Sequence, residues 1–445
     1  NQPGAGALLF GEDLVNISFE GRGTVDGEIE YEHRPDNIQD WYIKDNKDLM
    51  LSLGKSIMRA FARDYPEKRT LYPRMMLLLK CQDVRITGLT FKRSPSWTIN
   101  WYACERVVVD GIYIFSSLED GVWEDGIDPD GCKDVLITNS VIETGDDALV
   151  FYSTDIWGPR RPVENVTVTN CRFSSASSAI KFCDGNQVGI RKVLINNVAI
   201  TNSNRGIAFM TFDGGDVSDV IISNVTIDTR RFEWFWWGDG DPLHFNVIRR
   251  KEIMEQVPTK DDPPAGVIRN VILQNIIAHG KGSSKINGHP DSWLDGVTME
   301  NVKLFLTSDP KAPYNKGNAA MKIQRARNLK MRNVEINWEN PLPVNWQNAI
   351  DFQDVSGVDL DGVSARQSRP GSDAPALTFN QAEDVVVRNS RPQEGTGVFL
   401  NFKGEKTRRV VLRDNDFRRA RVPYRADKSV KLGEIRTLNN ITAAK

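Results

Sequence analysis

A nine-residue phrase recurs twelve times along the 445 residues of the chain, most clearly at Asp134 to Ile142 (DVLITNSVI), Asn165 to Phe173 (NVTVTNCRF) and Asp219 to Ile227 (DVIISNVTI). Other copies begin at Asp83, Arg106, Lys192, Asn270, Gly296, Asn328, Gly357, Asp384 and Arg409, and a weaker thirteenth begins at Asp13 (DLVNISFEG). Within each copy Val, Ile and Leu hold one parity and Asp, Thr, Asn or Lys the other, the period-two alternation of a half-buried strand. Helical spacing is absent. A unit this small cannot bury its own apolar face, so the units must stack on one another. The expected fold is therefore all-β: a single-stranded right-handed parallel β-helix, or β-solenoid, of about 12 coils, its hand set by the chirality of parallel crossovers. Copies start 23 to 32 residues apart except for 51 residues between Asp219 and Asn270, which marks an insertion near residues 228–266. Residues 30–73 interrupt the repeat a second time. A solenoid grows without a domain break, so residues 1–445 are expected to form one domain.

A second strand follows each phrase after a short turn, and these strands align as well: TINWYA from Thr98, GIDPDG from Gly126, ALVFYS from Ala148, AIKFCD from Ala179 and GIAFMT from Gly206. Later coils repeat the pattern from Ala320, Ala349, Ala376 and Gly397. Equivalent residues of neighbouring coils lie about 4.8 Å apart, the spacing of hydrogen-bonded strands. The position just before the strand then forms a spatial row of Asp125, Asp147, Ser178 and Arg205. Asp146 adjoins that row in Gly145-Asp146-Asp147, and Asp128 lies in the same coil as Asp125. Carboxylates so close repel, which raises the pKa of at least one and keeps a proton on it near neutrality. Glycoside hydrolysis needs such a pair: one carboxylic acid to protonate the leaving oxygen, and one carboxylate to activate water or attack the sugar.

Four segments, GRGTVDG at Gly21 to Gly27, SPSWTINW at Ser94 to Trp101, DGID at Asp125 to Asp128 and GDD at Gly145 to Asp147, carry a resemblance to glycoside hydrolase family 28, the polygalacturonase-like enzymes. It runs from about Asn16 to about Ile227. The resemblance implies that Asp146 is the general acid, that Asp125 and Asp147 hold and deprotonate the attacking water, and that the anomeric carbon inverts. The chain departs from the family in two places. The family's glycine-histidine-glycine segment falls at Ser177-Ser178-Ala179, and its arginine-isoleucine-lysine segment, which holds the galacturonate carboxylate, falls at Ala208-Phe209-Met210. Lys181 and Arg205 stand in nearby columns and are the candidates to supply the missing positive charge.

Further candidates for sugar contact come from the loops. The insertion is dense in aromatics, with Trp234, Trp236 and Trp237 followed by Gly238-Asp239-Gly240-Asp241 and His244, and the apolar faces of sugar rings stack on such side chains. Two shorter loops carry Trp123, and Trp157 with Arg160 and Arg161; arginine pairs bind carboxylate or sulfate in bidentate fashion. The expected substrate-binding set is thus Asp128, Lys181, Arg205, Trp157, Arg160, Arg161, Trp237 and His244. Bulky loops closing one end of the cleft point to exo action. Residues 30–73, with a possible helix from Asp48 to Ala62 and with His33 and Trp41, cap the solenoid or lean over the cleft, and the basic tail after Arg421 shields the other end.

Composition bounds the alternatives. A net charge of −2 and a pI near 6.2 provide no basic field for nucleic acid. The five cysteines Cys81, Cys104, Cys132, Cys171 and Cys183 form no CxxC pair and read as buried thiols, and the four histidines lack ligand spacing, so no metal and no cofactor are expected. No apolar run is long enough to span a bilayer. The opening NQPGAGALLF shows no signal peptide, consistent with an export signal already removed, and the glycan substrate suggests a periplasmic or secreted location. The competing classes are a polysaccharide lyase or uronate epimerase, which needs a basic residue or Ca²⁺ to abstract the C5 proton, and a non-catalytic glycan-binding β-helix. The first predicts an ultraviolet-absorbing unsaturated product and the second predicts binding without turnover.

Overall fold

The computed structural model describes residues 6–28, 73–118, 121, 124–232, 238–253, 263–308, 317–342 and 345–443. Among them 31 strands join one continuous sheet, and strand after strand pairs in parallel with its equivalent in the next coil. The chain is a right-handed parallel β-helix. One turn of helix, Arg250–Ile253, breaks the β pattern.

The reason the repeat opens on Asp or Asn is conformational. Its first residue occupies the left-handed region in coil after coil, as in Asp83 (φ 55°), Arg106 (56°), Asp134 (57°), Asn165 (56°), Lys192 (58°) and Asp219 (57°). Five residues later a second such column runs through Asn139, Asn170, Asn197, Asn224 and Asn275. An L-residue there costs roughly 1–2 kcal/mol, and Asn and Asp tolerate it best because their short side chains hydrogen-bond locally. Those side chains also bond along the stack: the Asn275, Asn301 and Asn333 amides donate to Asn224, Asn275 and Asn301 at 3.0, 3.0 and 3.1 Å. Between the two columns, Val and Ile at alternate positions turn inward, so that Val107, Val135, Val166, Val193, Val220 and Val271 stack as one buried column. On the opposite wall Phe151, Phe182, Phe209 and Phe245 stack with centroids 5.1, 4.2 and 4.3 Å apart. The five cysteines are buried free thiols, as their scatter implied.

Register corrects three readings. Val15 pairs with Gln82 and Ile17 with Val84, so the residue opposite Asp83 is Asn16, and the first copy starts there and not at Asp13. Both residues have positive φ, 54° at Asp13 and 59° at Asn16, so both look like the turn that opens a copy. Near the C-terminus Leu377 pairs with Leu400, which sets Phe399, not Gly397, opposite Ala376; a slip of two leaves the alternation unchanged. Within the stretch assigned to one insertion, Asp241–Val247 forms a regular rung paired with Arg205–Thr211, followed by a further rung at Ser284–Asn287. The tail after Arg421 likewise continues the stack, Ile435–Leu438 pairing with Arg408–Arg413. The possible helix at Asp48 to Ala62, with His33, Trp41, Trp123, Trp234, Trp236 and Trp237, lies outside the described residues.

Replacing the centre of the aromatic stack tests the packing: Phe209→Ala is expected to lower the unfolding free energy by about 3–5 kcal/mol, the usual cost of a large buried aromatic truncated to alanine, read as a fall in the denaturant midpoint.

Candidate active site

The register stacks Arg74, Trp97, Asp125, Asp147, Ser178, Arg205 and Asp241 in a single row just ahead of the second strand of each coil. The expected run of Asp125, Asp147, Ser178 and Arg205 is therefore present, extended by three residues. A small-residue column lies directly behind it. A Cβ on Gly126 would lie 2.3 Å from the Ala148 carbonyl oxygen, so only glycine lets the Asp125 backbone approach the next coil this closely.

Asp146 and Asp147 sit on a turn bolted from both sides. The Thr144 and Ser175 hydroxyls donate to the Asp146 carbonyl at 2.8 and 2.6 Å, and the Ser116 hydroxyl accepts the Gly145 N–H at 2.9 Å. The Asp147 N–H lies 3.1 Å from both Asp125 Oδ1 and Asp146 Oδ1. As a result, carboxylate oxygens of Asp125, Asp146 and Asp147 come within 4.8 Å of one another, all three side chains buried. Such a trio could ligate a hard cation. One positive charge is already supplied: Lys181 Nζ stands 2.8 Å from Asp147 Oδ2, while the Ser178 N–H donates to Asp147 Oδ1 at 3.0 Å. Lys181 is largely buried, so this is not a solvated surface pair.

Burial is the first cause of the site's electrostatics. It pushes the Asp125 carboxyl well above the usual carboxylate range, with repulsion from Asp146, Asp128 and Asp147 adding to the shift and Lys181 opposing it. Asp128 is raised for the same first reason, against the pull of Arg74. Neither Asp128 carboxyl oxygen has a hydrogen-bond partner, and the residue is fully buried. The Tyr152 hydroxyl approaches Asp125 Oδ2 at 3.5 Å, and its ring stacks on Trp97 at 5.3 Å.

The remaining candidates fall into three places. His244 belongs to a second charged cluster: its Nδ1 lies 2.9 Å from Asp241 Oδ2, and Lys285 Nζ lies 3.0 Å from Asp239 and 3.8 Å from Asp241. Burial pushes the His244 imidazole down to about 4. Arg205 is buried between the two groups, its field acting on Asp241, Asp147 and Asp239, and its one side-chain hydrogen bond among the described residues runs from Nη1 to Met210 Sδ at 3.6 Å. Trp157 packs on Leu77, Leu79 and Tyr102, with Arg74 over its ring at 4.7 Å. Arg160 turns to its own loop, pairing with Asp155 at 3.0 Å, and the Arg161 side chain lies against Gly131; neither is drawn to the carboxylates. Trp237 lies outside the described residues. Sequence reasoning missed Arg74, because the rung Arg74–Leu79 adjoins the stretch where the repeat is interrupted, and missed Lys285, because its short rung lacks the repeated phrase.

Residues 59–230 match the profile of Glycosyl hydrolases family 28. This is a family 28-like protein. Among curated relatives, a probable polygalacturonase of Vitis vinifera is 25% identical over 248 residues, covering 54% of this chain and 48% of the relative. A probable exopolygalacturonase B of Aspergillus flavus is 24% identical, covering 54% and 55%. The chain spans about half the length of the curated relatives it matches. The solved exopolygalacturonase of Thermotoga maritima superposes with a TM-score of 0.51 at 21% identity over 74% of this chain and 71% of that one. The family 28 exopolygalacturonase of Yersinia enterocolitica gives 0.52 at 16% over 78% and 59%. Both structural likenesses concern the fold of this family 28-like chain.

The raised Asp125 pKa has a consequence for stability. A carboxyl whose pKa is higher folded than unfolded contributes stability that is complete below the unfolded value and is lost as pH rises through the folded one. Asp125→Asn removes that loss. The variant is expected to melt at a higher temperature than the parent at pH 7. The gap should close toward pH 4, as followed by melting curves across pH.

Proposed function

We propose that the protein is an inverting glycoside hydrolase acting on an acidic, uronate-containing glycan. Asp146 is the general acid, and Asp125 with Asp147 holds and deprotonates the attacking water. The observation that carries this reading is the gathering of three carboxyl groups within 4.8 Å from two separate coils. A water between two oxygens at that separation reaches both with hydrogen bonds of about 2.7 Å. Lys181 Nζ stands 2.8 Å from Asp147 Oδ2, a positive charge beside one member of the pair, while burial and repulsion raise the Asp125 carboxyl and favour a proton there. In this reading Lys181 acts on the substrate through Asp147, and Arg205 faces the substrate from the far side of the pair.

The substrate class is supported by the relatives named polygalacturonases and by Arg205, since guanidinium groups suit carboxylates. Exo action is supported by a relative named an exopolygalacturonase. Asp128, Trp157 and His244 complete the proposed binding set, with Trp237, Arg160 and Arg161 as outer contacts. A glycan polymer of this kind lies outside the cytoplasm, so we place the protein in the periplasm or outside the cell.

The spacing favours a second stereochemical reading. Retaining enzymes hold their carboxyls about 5–5.5 Å apart and inverting ones about 6.5–9.5 Å, and here one carboxylate oxygen from each of the three lies within 4.8 Å of the others, nearer the retaining range. Direct attack by Asp125 or Asp147 on the sugar would then retain the anomeric configuration.

Two measurements decide. On polygalacturonate, Asp146→Asn is expected to lower turnover by about 10²–10⁴-fold or more, the contribution of a positioned acid, with the melting transition preserved; near-native turnover would end the proposal. Proton NMR of the first product formed should show the inverted anomer, and the retained one would assign a nucleophile in place of a water.

A further inference from the structure

The far end of the catalytic row carries a cation that the chemistry above leaves idle. Arg74 lies two rungs, about 9.6 Å, from Asp125 in the same row, on the side opposite Arg205. Its guanidinium carbon sits 4.5 Å from the Trp97 ring centroid and 4.7 Å from that of Trp157. Both indoles are held from outside. Trp97 stacks on Tyr152. The loop bearing Trp157 is pinned at Thr154, whose N–H and hydroxyl donate to Asp130 at 2.8 and 2.5 Å, and at Pro159, whose carbonyl accepts from Tyr102 at 2.7 Å.

Charge partners distinguish Arg74 from the other cations near the site. Lys181 is paired with Asp147, and Lys285 with Asp239 and Asp241. The Arg74 side chain makes no ion pair or hydrogen bond among the described residues, and its Nε is buried without a partner, as is the Trp157 indole N–H beside it. The carboxyl whose field it feels most, Asp128, is driven by burial toward its uncharged form, so it does not cancel the guanidinium. Arg74 is partly buried; a partly desolvated guanidinium without an anion is costly, and cation–π contacts return only part of what hydration gave it. The arrangement is complete only when an anion arrives.

We propose that Arg74, clamped between Trp97 and Trp157, is a specificity-determining residue that takes the carboxylate of a uronic acid residue next to the one being cleaved, with the indole edges flanking the sugar. This inference rests on the hydrolase reading for its substrate class. It adds a carboxylate site on the side of the acids away from Lys181 and Arg205, and it predicts discrimination between the free acid and its ester.

The test uses trigalacturonic acid and its fully methyl-esterified form as probes, titrated calorimetrically into full-length protein carrying Asp146→Asn so that neither is consumed. Adding Arg74→Gln is expected to weaken binding of the acid by tenfold or more and to leave binding of the ester within about twofold, because only a charged carboxylate gains from the guanidinium. Arg74→Lys, which keeps the charge but not the planar stacking group, should fall between the two and covers the case in which the glutamine variant does not fold. Equal losses on acid and ester would make Arg74 a packing residue and overturn the proposal, as would unchanged binding of the acid or failure of the parent to bind it. If Arg74-dependent binding of the acid is found while the unmodified protein hydrolyses no uronate glycan, the carboxylate site stands and the hydrolase reading falls.

Discussion

Parallel hydrogen bonding in strict register makes every position of one coil a neighbour of its equivalents in the next, and the rest of the molecule follows from that. Side chains in one column cannot avoid each other at about 4.8 Å, so each column must be built from groups that tolerate their own kind or complement it. On the outer surface the chain answers with alternating charge: Asp83 pairs with Arg106 at 2.7 Å, Glu383 with Arg408 at 2.7 Å and Asp384 with Arg409 at 2.5 Å. Inside it answers with valine columns and stacked phenylalanines. The row of Asp125 and Asp147 does neither, placing two carboxyls in consecutive rungs with Asp146 beside them. That arrangement is stable only because Lys181 reaches Asp147 and burial favours a proton on Asp125.

What could be read from the sequence was whatever the coil repeats. Asp125 and Asp147 could be set side by side because GIDPDG and ALVFYS align without gaps and the pairing of Ile127 with Leu149 obeys the alignment. The same logic failed where alternation carries no phase. A slip of two residues at Gly397 preserves every inside and outside assignment, and the competing turn formers Asp13 and Asn16 both adopt the left-handed conformation that marks the start of a copy. The rung Asp241–Val247 escaped notice because Pro242 and the preceding aromatics resemble a loop, although Leu243 and Phe245 point inward as the pattern requires. Arg74 was missed because its rung follows the interrupted stretch, although register sets it opposite Trp97 in the same row.

The cations around the site have moved by columns as well as by rungs. Where the resemblance places an arginine the chain has Ala208, and its two neighbours in that column are Lys181 and His244. Where it places a histidine the chain has Ser178, whose backbone N–H, not its side chain, reaches Asp147. Positive charge thus stands at several points on the wall: Lys181 and Lys285 pair with carboxylates, whereas the Arg74 side chain forms no ion pair among the described residues. Burial of His244 keeps its ring neutral, which leaves Asp241 to balance Arg205 and Lys285.

A solenoid can also change by whole turns. Ser178 and Arg205 occupy the same place in consecutive coils, so excision of the single turn that begins at Ser178 would deliver a guanidinium directly beside Asp147 in place of the Lys181 ammonium, with no point substitution, and duplication would push it farther away. In a globular enzyme such a rearrangement of the pocket would need several coordinated substitutions. Here one in-frame recombination between copies suffices, so gain or loss of coils is a direct evolutionary route to new charge patterns around an unchanged set of acids.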